Sequence, residues 1–253
     1  MDVDREEYFN NDELKIYRGE DFIVSKHIVI HQPTLGEICD YGEQKYFSML
    51  YSLTSTPQSM KAQLWKAGVD YTTITPYSLF LSLYQMFERE NTSSLLFGDL
   101  DFSKFELYKK DDKDIILGQV VDGDFVAIDE YTYGIIVDYL CKSHFIERDL
   151  KNPMNETTKM ILIEDAMDEL IKVSKEEYHS RLKNLISAMI NSEGFKYNHS
   201  QVWDMKINAF MDSVKRIQGI NNAKLLLQSA YSGFGINMKD IDKKQLDWLG
   251  ELT

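Results

Sequence analysis

Phe105-Glu-Leu-Tyr108, Ile115-Ile-Leu-Gly-Gln-Val-Val121 and Phe125-Val-Ala-Ile128 decide the fold class. Each run is rich in β-branched and aromatic residues, the composition of a half-buried pleated surface. Lys109–Lys113 reads as the turn between the first two runs. Asp122-Gly123 reads as the second turn, because Asp-Gly accepts the left-handed backbone of a tight hairpin. The spacing therefore predicts a three-stranded β-meander over residues 104–128. Outward in both directions the apolar residues recur at three and four, the period of helices. The expected fold class is α+β, predominantly α-helical: a helical bundle body with an N-terminal β-hairpin and the inserted three-stranded β-meander.

Upstream, Leu14–Tyr17 and Phe22–Val24 around Arg18-Gly-Glu-Asp21 read as that hairpin, extended by His27–His31 and stopped by Pro33. Thr34-Leu-Gly-Glu37 has the form of a capping box, so one helix is expected with Leu35, Ile38, Gly42, Tyr46, Met49 and Leu53 along a face. Thr56-Pro57 and Thr75-Pro76 open two further helices, the first ending at Gly68. A short helix over 92–98 ends at Gly98.

Downstream, a helix over 130–145 buries Tyr133, Ile136, Val137, Leu140 and Cys141, and 147–156 is a loop containing Pro153. Residues 157–173 place Met160, Ile163, Met167 and Leu170 on one side. Ser174-Lys-Glu-Glu177 reads as a second capping box, opening a helix that closes at Gly194. Ser200 is expected to cap a helix striped by Trp203, Ile207, Phe210, Val214 and Ile217 and ended by Gly219. A separate short helix over 222–231 and a final turn capped by Asp242 follow. The implied organisation is a flexible acidic arm over 1–13, an α+β region over 14–146 and a C-terminal helical region over 155–253.

The chain has 253 residues, with 28 Lys+Arg against 41 Asp+Glu, a formal net charge of −13. That balance excludes non-specific nucleic-acid binding, which needs a basic face. The apolar content of 43% excludes a disordered chain. Residues 195–253 carry 6 acidic and 8 basic side chains and form the one slightly positive region. Two distant cysteines, Cys39 and Cys141, make no disulfide framework and read as core thiols of a reducing compartment. Met1-Asp-Val-Asp-Arg-Glu-Glu lacks the apolar region of a signal peptide, and no apolar run approaches the roughly 18 residues of a membrane span. The expectation is a cytosolic protein that does not associate with membranes.

No pattern of catalytic residues stands out. His27 and His31 share a face of the expected strand, but no carboxylate or thiol set completes a metal site. Asp99-Leu-Asp101 and Asp122-Gly-Asp124 are explained by turn chemistry. Gly233-Phe-Gly235 lacks the strand and helix of a phosphate loop. No catalytic residue, cofactor or metal is therefore expected. The residues singled out for partner binding are Trp203, Phe210, Lys215 and Arg216 on the 200s helix, and Trp248. Core packing is the plainer reading of the apolar ones.

Ile28–Tyr41, Ser187–Gln218 and Leu246-Asp-Trp-Leu249 together resemble proteins of tailed phages of low-GC Gram-positive bacteria that look like tail assembly chaperones. The residue usage, 22 Ile and 22 Lys against 8 Ala, fits such an AT-rich source. The resemblance runs from about residue 14 to the end, although many such chaperones are shorter. It implies a non-enzymatic morphogenesis factor in the host cytoplasm, binding the tape-measure protein and possibly the tail-tube protein. Two other classes remain open: a structural virion component of the tail, baseplate or neck, and an acidic inhibitor of a host nuclease.

Overall fold

The structure, a computed structural model, describes residues 13–87, 94–109, 114–232, 235, 237, 239 and 241–250. It is α+β and mostly helical. In chain order the elements are α1 (Glu13–Arg18), β1 (Phe22–Ile23), β2 (Val29–Ile30), α2 (Leu35–Tyr41), α3 (Glu43–Thr54), α4 (Lys61–Lys66), α5 (Pro76–Leu83), α6 (Ser94–Phe97), β3 (Glu106–Lys109), β4 (Ile115–Val121), β5 (Asp124–Ile128), α7 (Glu130–His144), α8 (Glu156–Val173), α9 (Arg181–Ile190) and α10 (Ile207–Tyr231). Short 3₁₀ turns lie at 84–86, 102–104, 202–204 and 243–246. The chain divides into two compact units. The larger holds 20–33 and 37–180; the C-terminal unit holds 34–36, 181–253 and the stretch up to Gly19, as far as these are described. The sequence reading drew its boundary at 147–156; the contacts place α8 with the residues before it and divide the chain at 180/181.

In the larger unit the meander has the order β3-β4-β5, antiparallel throughout. Asp122 and Gly123 sit at φ 51° and 87°, the left-handed pair that a two-residue hairpin turn requires. The inward face carries Leu117, Val126 and Ile128, all buried. Tyr77 of α5 fastens the meander to the helices: its hydroxyl reaches the Ile115 carbonyl at 3.1 Å and the Ile128 carbonyl at 2.9 Å. Behind it, Phe80 stacks on Tyr133 of α7, with ring centroids 4.6 Å apart. Phe102, 1% exposed, meets the rings of Phe80, Phe87, Phe97 and Phe105. Four segments thus close on one side chain.

Further anchors in this unit are a ring stack and hydrogen bonds between its elements. Phe22 of β1 stacks on Tyr139 of α7 at 4.4 Å, and Gln32 donates to the Tyr139 hydroxyl at 3.4 Å. α8 packs on α4, and buried Lys159 donates to Asp70 at 2.6 Å. That ammonium, helped by the backbone and hydroxyl of Thr72, holds the Asp70 carboxyl down at about 2. Asn155 caps α8, Asp129 caps α7 and Thr75 caps α5, each accepting a first-turn N–H.

Several expected elements differ. Leu14–Tyr17 is helical, not a strand: Glu13 in the first turn and Lys15 and Arg18 in the last suit a helix dipole, and only Ile16 is buried. The N-terminal hairpin is instead β1 with β2, paired Phe22↔Ile30 and Ile23↔Val29. The helix expected from Thr34 onward is two helices, because Gly42 adopts φ 106° and interrupts the turn. Its stripe buries Leu35 and Ile38 and leaves Cys39 exposed, so Cys39 is not a core thiol. The first Pro-led helix starts only at Lys61, after a turn in which Thr56 accepts from the Ser59 N–H. Ser174 ends α8, its N–H donating to the Leu170 carbonyl, and the next helix begins at Arg181. Gly219 does not stop a helix but lies inside the 25-residue α10, which absorbs the expected 222–231 helix. Of the acidic arm expected over 1–13, all but Glu13, which opens α1, lies outside the described residues, as do residues 110–113 of the turn expected over 109–113 and Gly233-Phe234.

One buried pair makes this fold sensitive to acid. His144 at the end of α7 accepts at Nε2 from the Tyr46 hydroxyl of α3 at 2.5 Å, and Nδ1 donates to the Leu140 carbonyl at 2.9 Å. Burial pushes its pKa down to about 4, while the Leu140 carbonyl raises it in part. Below the unfolded value of about 6.5 the unfolded chain binds the proton first. The stability held by neutral His144 is therefore complete above pH 6.5 and is lost between about 6.5 and 4, to a total of about 3 kcal/mol. Urea unfolding of the wild type should weaken between pH 7 and 5, and His144→Gln should flatten that slope; equal slopes in both would show that His144 does not titrate on unfolding.

Candidate functional site

Within the C-terminal unit, α10 is the organising element. Ile207 and Phe210 are fully buried in its first turns, and Val214 and Ile217 are half-buried along the same stripe. The chain before it makes the 3₁₀ turn Val202–Asp204, with Asn198 accepting from Ser200 and Gln201 N–H groups. Ser200 is thus a turn residue and not the helix cap, which falls at Lys206. Leu35 N–H donates to the Met205 carbonyl at 2.9 Å, and Thr34 bridges Lys206. A β-carbon at Gly36 would stand 3.1 Å from the Trp203 carbonyl oxygen, so this crossing is tight and a side chain there would push the Trp203 backbone by a few tenths of an ångström.

The five residues singled out from the sequence fall into different roles. Phe210 is fully buried and meets Phe195 edge-on at 6.5 Å; it is a core residue and presents no surface to a partner. Trp203 is half-buried, its ring edge-on to His199 at 6.0 Å. Lys215 is half-buried on α10. Arg216 donates to the carbonyls of Trp248 at 2.7 Å and Gly250 at 2.8 Å, and its other terminal nitrogen lies 3.7 Å from Asp212. The structure therefore brings Arg216 and Trp248 together, as a clasp holding the C-terminal turn to α10. Trp248 itself remains 45% exposed.

Apolar surface on this unit comes from residues that periodicity did not mark. Leu225 and Tyr231 of α10, Tyr197 and Leu249 are all exposed. Periodicity assigned apolar residues to the inside, so an outward leucine carries no linear signal. In the larger unit, His27 and His31 do not form a pair. His27 binds Asp124 at 2.8 Å, and His31 lies between Asp21 at 2.7 Å and Glu37 at 3.2 Å. No cluster of three metal-ligating side chains occurs among the described residues, and none of their helices is long and apolar enough to cross a membrane.

The larger unit also contains a cleft of about 380 Å³, walled by the last turn of α3, residues 55–60 and residues 146–149. Thr56 donates to the Asp149 carbonyl at 2.8 Å and Gln58 to Asn152 at 2.9 Å, which ties the two walls. Arg148 lines it. In sequence this arginine stands between Glu147 and Asp149 and reads as an ordinary solvated loop charge.

Residues 174–253 match the family model of the YomV second domain, a Bacillus phage-derived family. The match covers 80 of the 253 residues and suggests a phage protein. No curated protein and no solved structure matches the chain.

If Arg216 is the clasp, Arg216→Ala should release the C-terminal turn with little effect on the rest. Trp248 fluorescence should shift to the red and amide exchange at 243–250 should quicken, with the urea midpoint nearly unchanged. Unchanged exchange there would show that the turn is held by other contacts.

Proposed function

We propose that this protein is a non-enzymatic assembly factor of phage tails that binds the tape-measure protein and keeps it soluble until the tail tube forms around it. The observation that carries this reading is the coincidence of two features in one segment: residues 174–253 match a phage-derived domain, and that segment exposes Leu225, Tyr231, Trp248 and Leu249. A long helical client with apolar faces gains from a soluble partner that covers those faces reversibly. The net charge of −13 favours solubility and discourages self-association of such a partner. The resemblance of Ser187–Gln218 and Leu246–Leu249 to tail assembly chaperones supports the same reading.

Co-expression with the tape-measure protein of the same genome tests it. The tape-measure protein should be recovered soluble and in complex, and should aggregate when expressed alone. Leu225→Asp with Leu249→Asp should abolish recovery while leaving the chaperone folded. An unaffected tape-measure protein, with this chain instead stoichiometric in purified virions, would replace the reading by that of a structural tail component.

A further inference from the structure

The register of the β1–β2 hairpin sets up a charge contact at its open end. Phe22 pairs with Ile30 and Ile23 with Val29, so the same register carried one step further puts Asp21 beside His31. The His31 Nδ1 lies 2.7 Å from Asp21 Oδ1. The chain passes Pro33 and enters α2 at Leu35, which brings Glu37 Oε1 to 3.2 Å from the Nε2 of the same ring. The backbone around the ring is held firmly. Ile30 and Gln32 on either side are buried, and the His31 N–H donates to the Leu96 carbonyl at 2.8 Å.

Each ring nitrogen therefore faces a carboxylate, and an ionised carboxylate only accepts hydrogen bonds. Neutral imidazole offers one N–H and one lone pair, so it serves one of the two. The imidazolium offers two N–H groups and serves both. The neighbouring elements add no cation. α6 supplies the Leu96 carbonyl and carries no charged residue. α7, packed on β1 through Tyr139 and Phe22, supplies a phenol that burial raises to about 12, with a smaller contribution from Asp21, so it stays neutral where histidines titrate. Glu20 adjoins Asp21 in the chain and adds negative charge. All three side chains of the contact are partly exposed, so the ring exchanges its proton with water in the folded state, unlike buried His144. His27, in the turn of the hairpin, gives the contrast: it meets the single carboxylate of Asp124, which Lys26 also serves, and one ring proton satisfies it.

We propose that His31 is a proton-operated joint between the β1–β2 hairpin and α2: with two ring protons it bridges Asp21 and Glu37, and on losing one it keeps Asp21 and releases Glu37. The shorter contact retains the remaining proton. Asp21, His31 and Glu37 all belong to the larger unit, so the inference is independent of the tape-measure reading.

NMR of the full chain tests it, with the ring-nitrogen shifts of His31 and the carboxyl-carbon shifts of Asp21 and Glu37 followed from about pH 5 to about pH 8.5. In acid both ring nitrogens should carry protons. As the ring titrates, the Glu37 carboxyl shift should move in step with it, and the proton that stays should sit on Nδ1. Exchange of the α2 amides, corrected for the intrinsic effect of pH, should quicken by about two- to fivefold, the worth of an exposed ion pair. His31→Gln should abolish both the Glu37 inflection and the change in exchange. Glu37→Gln should leave α2 exchange independent of the state of the ring. A Glu37 shift that ignores the titration of His31, or that persists unchanged in His31→Gln, would show that the joint does not exist. A neutral ring with its proton on Nε2 would overturn the assignment of Asp21 as the retained partner.

Discussion

The aromatic contact network around Phe102 is the constraint on which the larger unit depends. Its ring touches α5, the segment after it, α6 and the entry to the meander together, through Phe80, Phe87, Phe97 and Phe105. A buried ring of this kind is worth about 3–5 kcal/mol when truncated, a large fraction of the stability of one domain. The short elements nearby need that anchor. α6 has four residues and β3 has four, each too short to persist alone. Tyr77 then transfers the order of α5 to the sheet by holding the carbonyls at one end of β4 and β5.

The C-terminal unit is built on a different principle. One helix of 25 residues supplies a continuous spine, and buried Ile207 and Phe210 secure its first turns. Beyond them burial thins: Ala223 is buried, but Leu225 and Tyr231 face outward. The Arg216 clasp spends a cation on two backbone carbonyls, which positions Trp248 and Leu249 without burying them. A unit that is firm at one end and apolar on its outside suits a role in contacts with another chain.

How much of this was legible in the sequence follows from the physics of each element. The meander was readable to within a residue or so, because β-branched alternation and the Asp122-Gly123 turn act locally. Caps at Thr75 and Asp242 were readable for the same reason. Leu14–Tyr17 was misread because four residues fit both periods, and the charges at each end decided for helix. Ser174-Lys-Glu-Glu177 had the composition of a cap, yet the same serine closes the preceding helix. Gly219 looked like a stop, but a glycine inside a helix costs only about 1 kcal/mol, which the rest of α10 absorbs. Arg216 and Trp248 were both singled out in the sequence, but their mutual contact was not legible there, since it spans 32 positions.

The claim that the partner surface lies on the C-terminal unit is tested most directly by hydrogen exchange of the complex with the tape-measure protein, read against the free chain. Protection should appear at 221–231 and 246–250, around Leu225, Tyr231, Trp248 and Leu249. Protection confined to residues 37–180, with exchange in those two stretches unchanged, would contradict the account and move the binding surface to the larger unit.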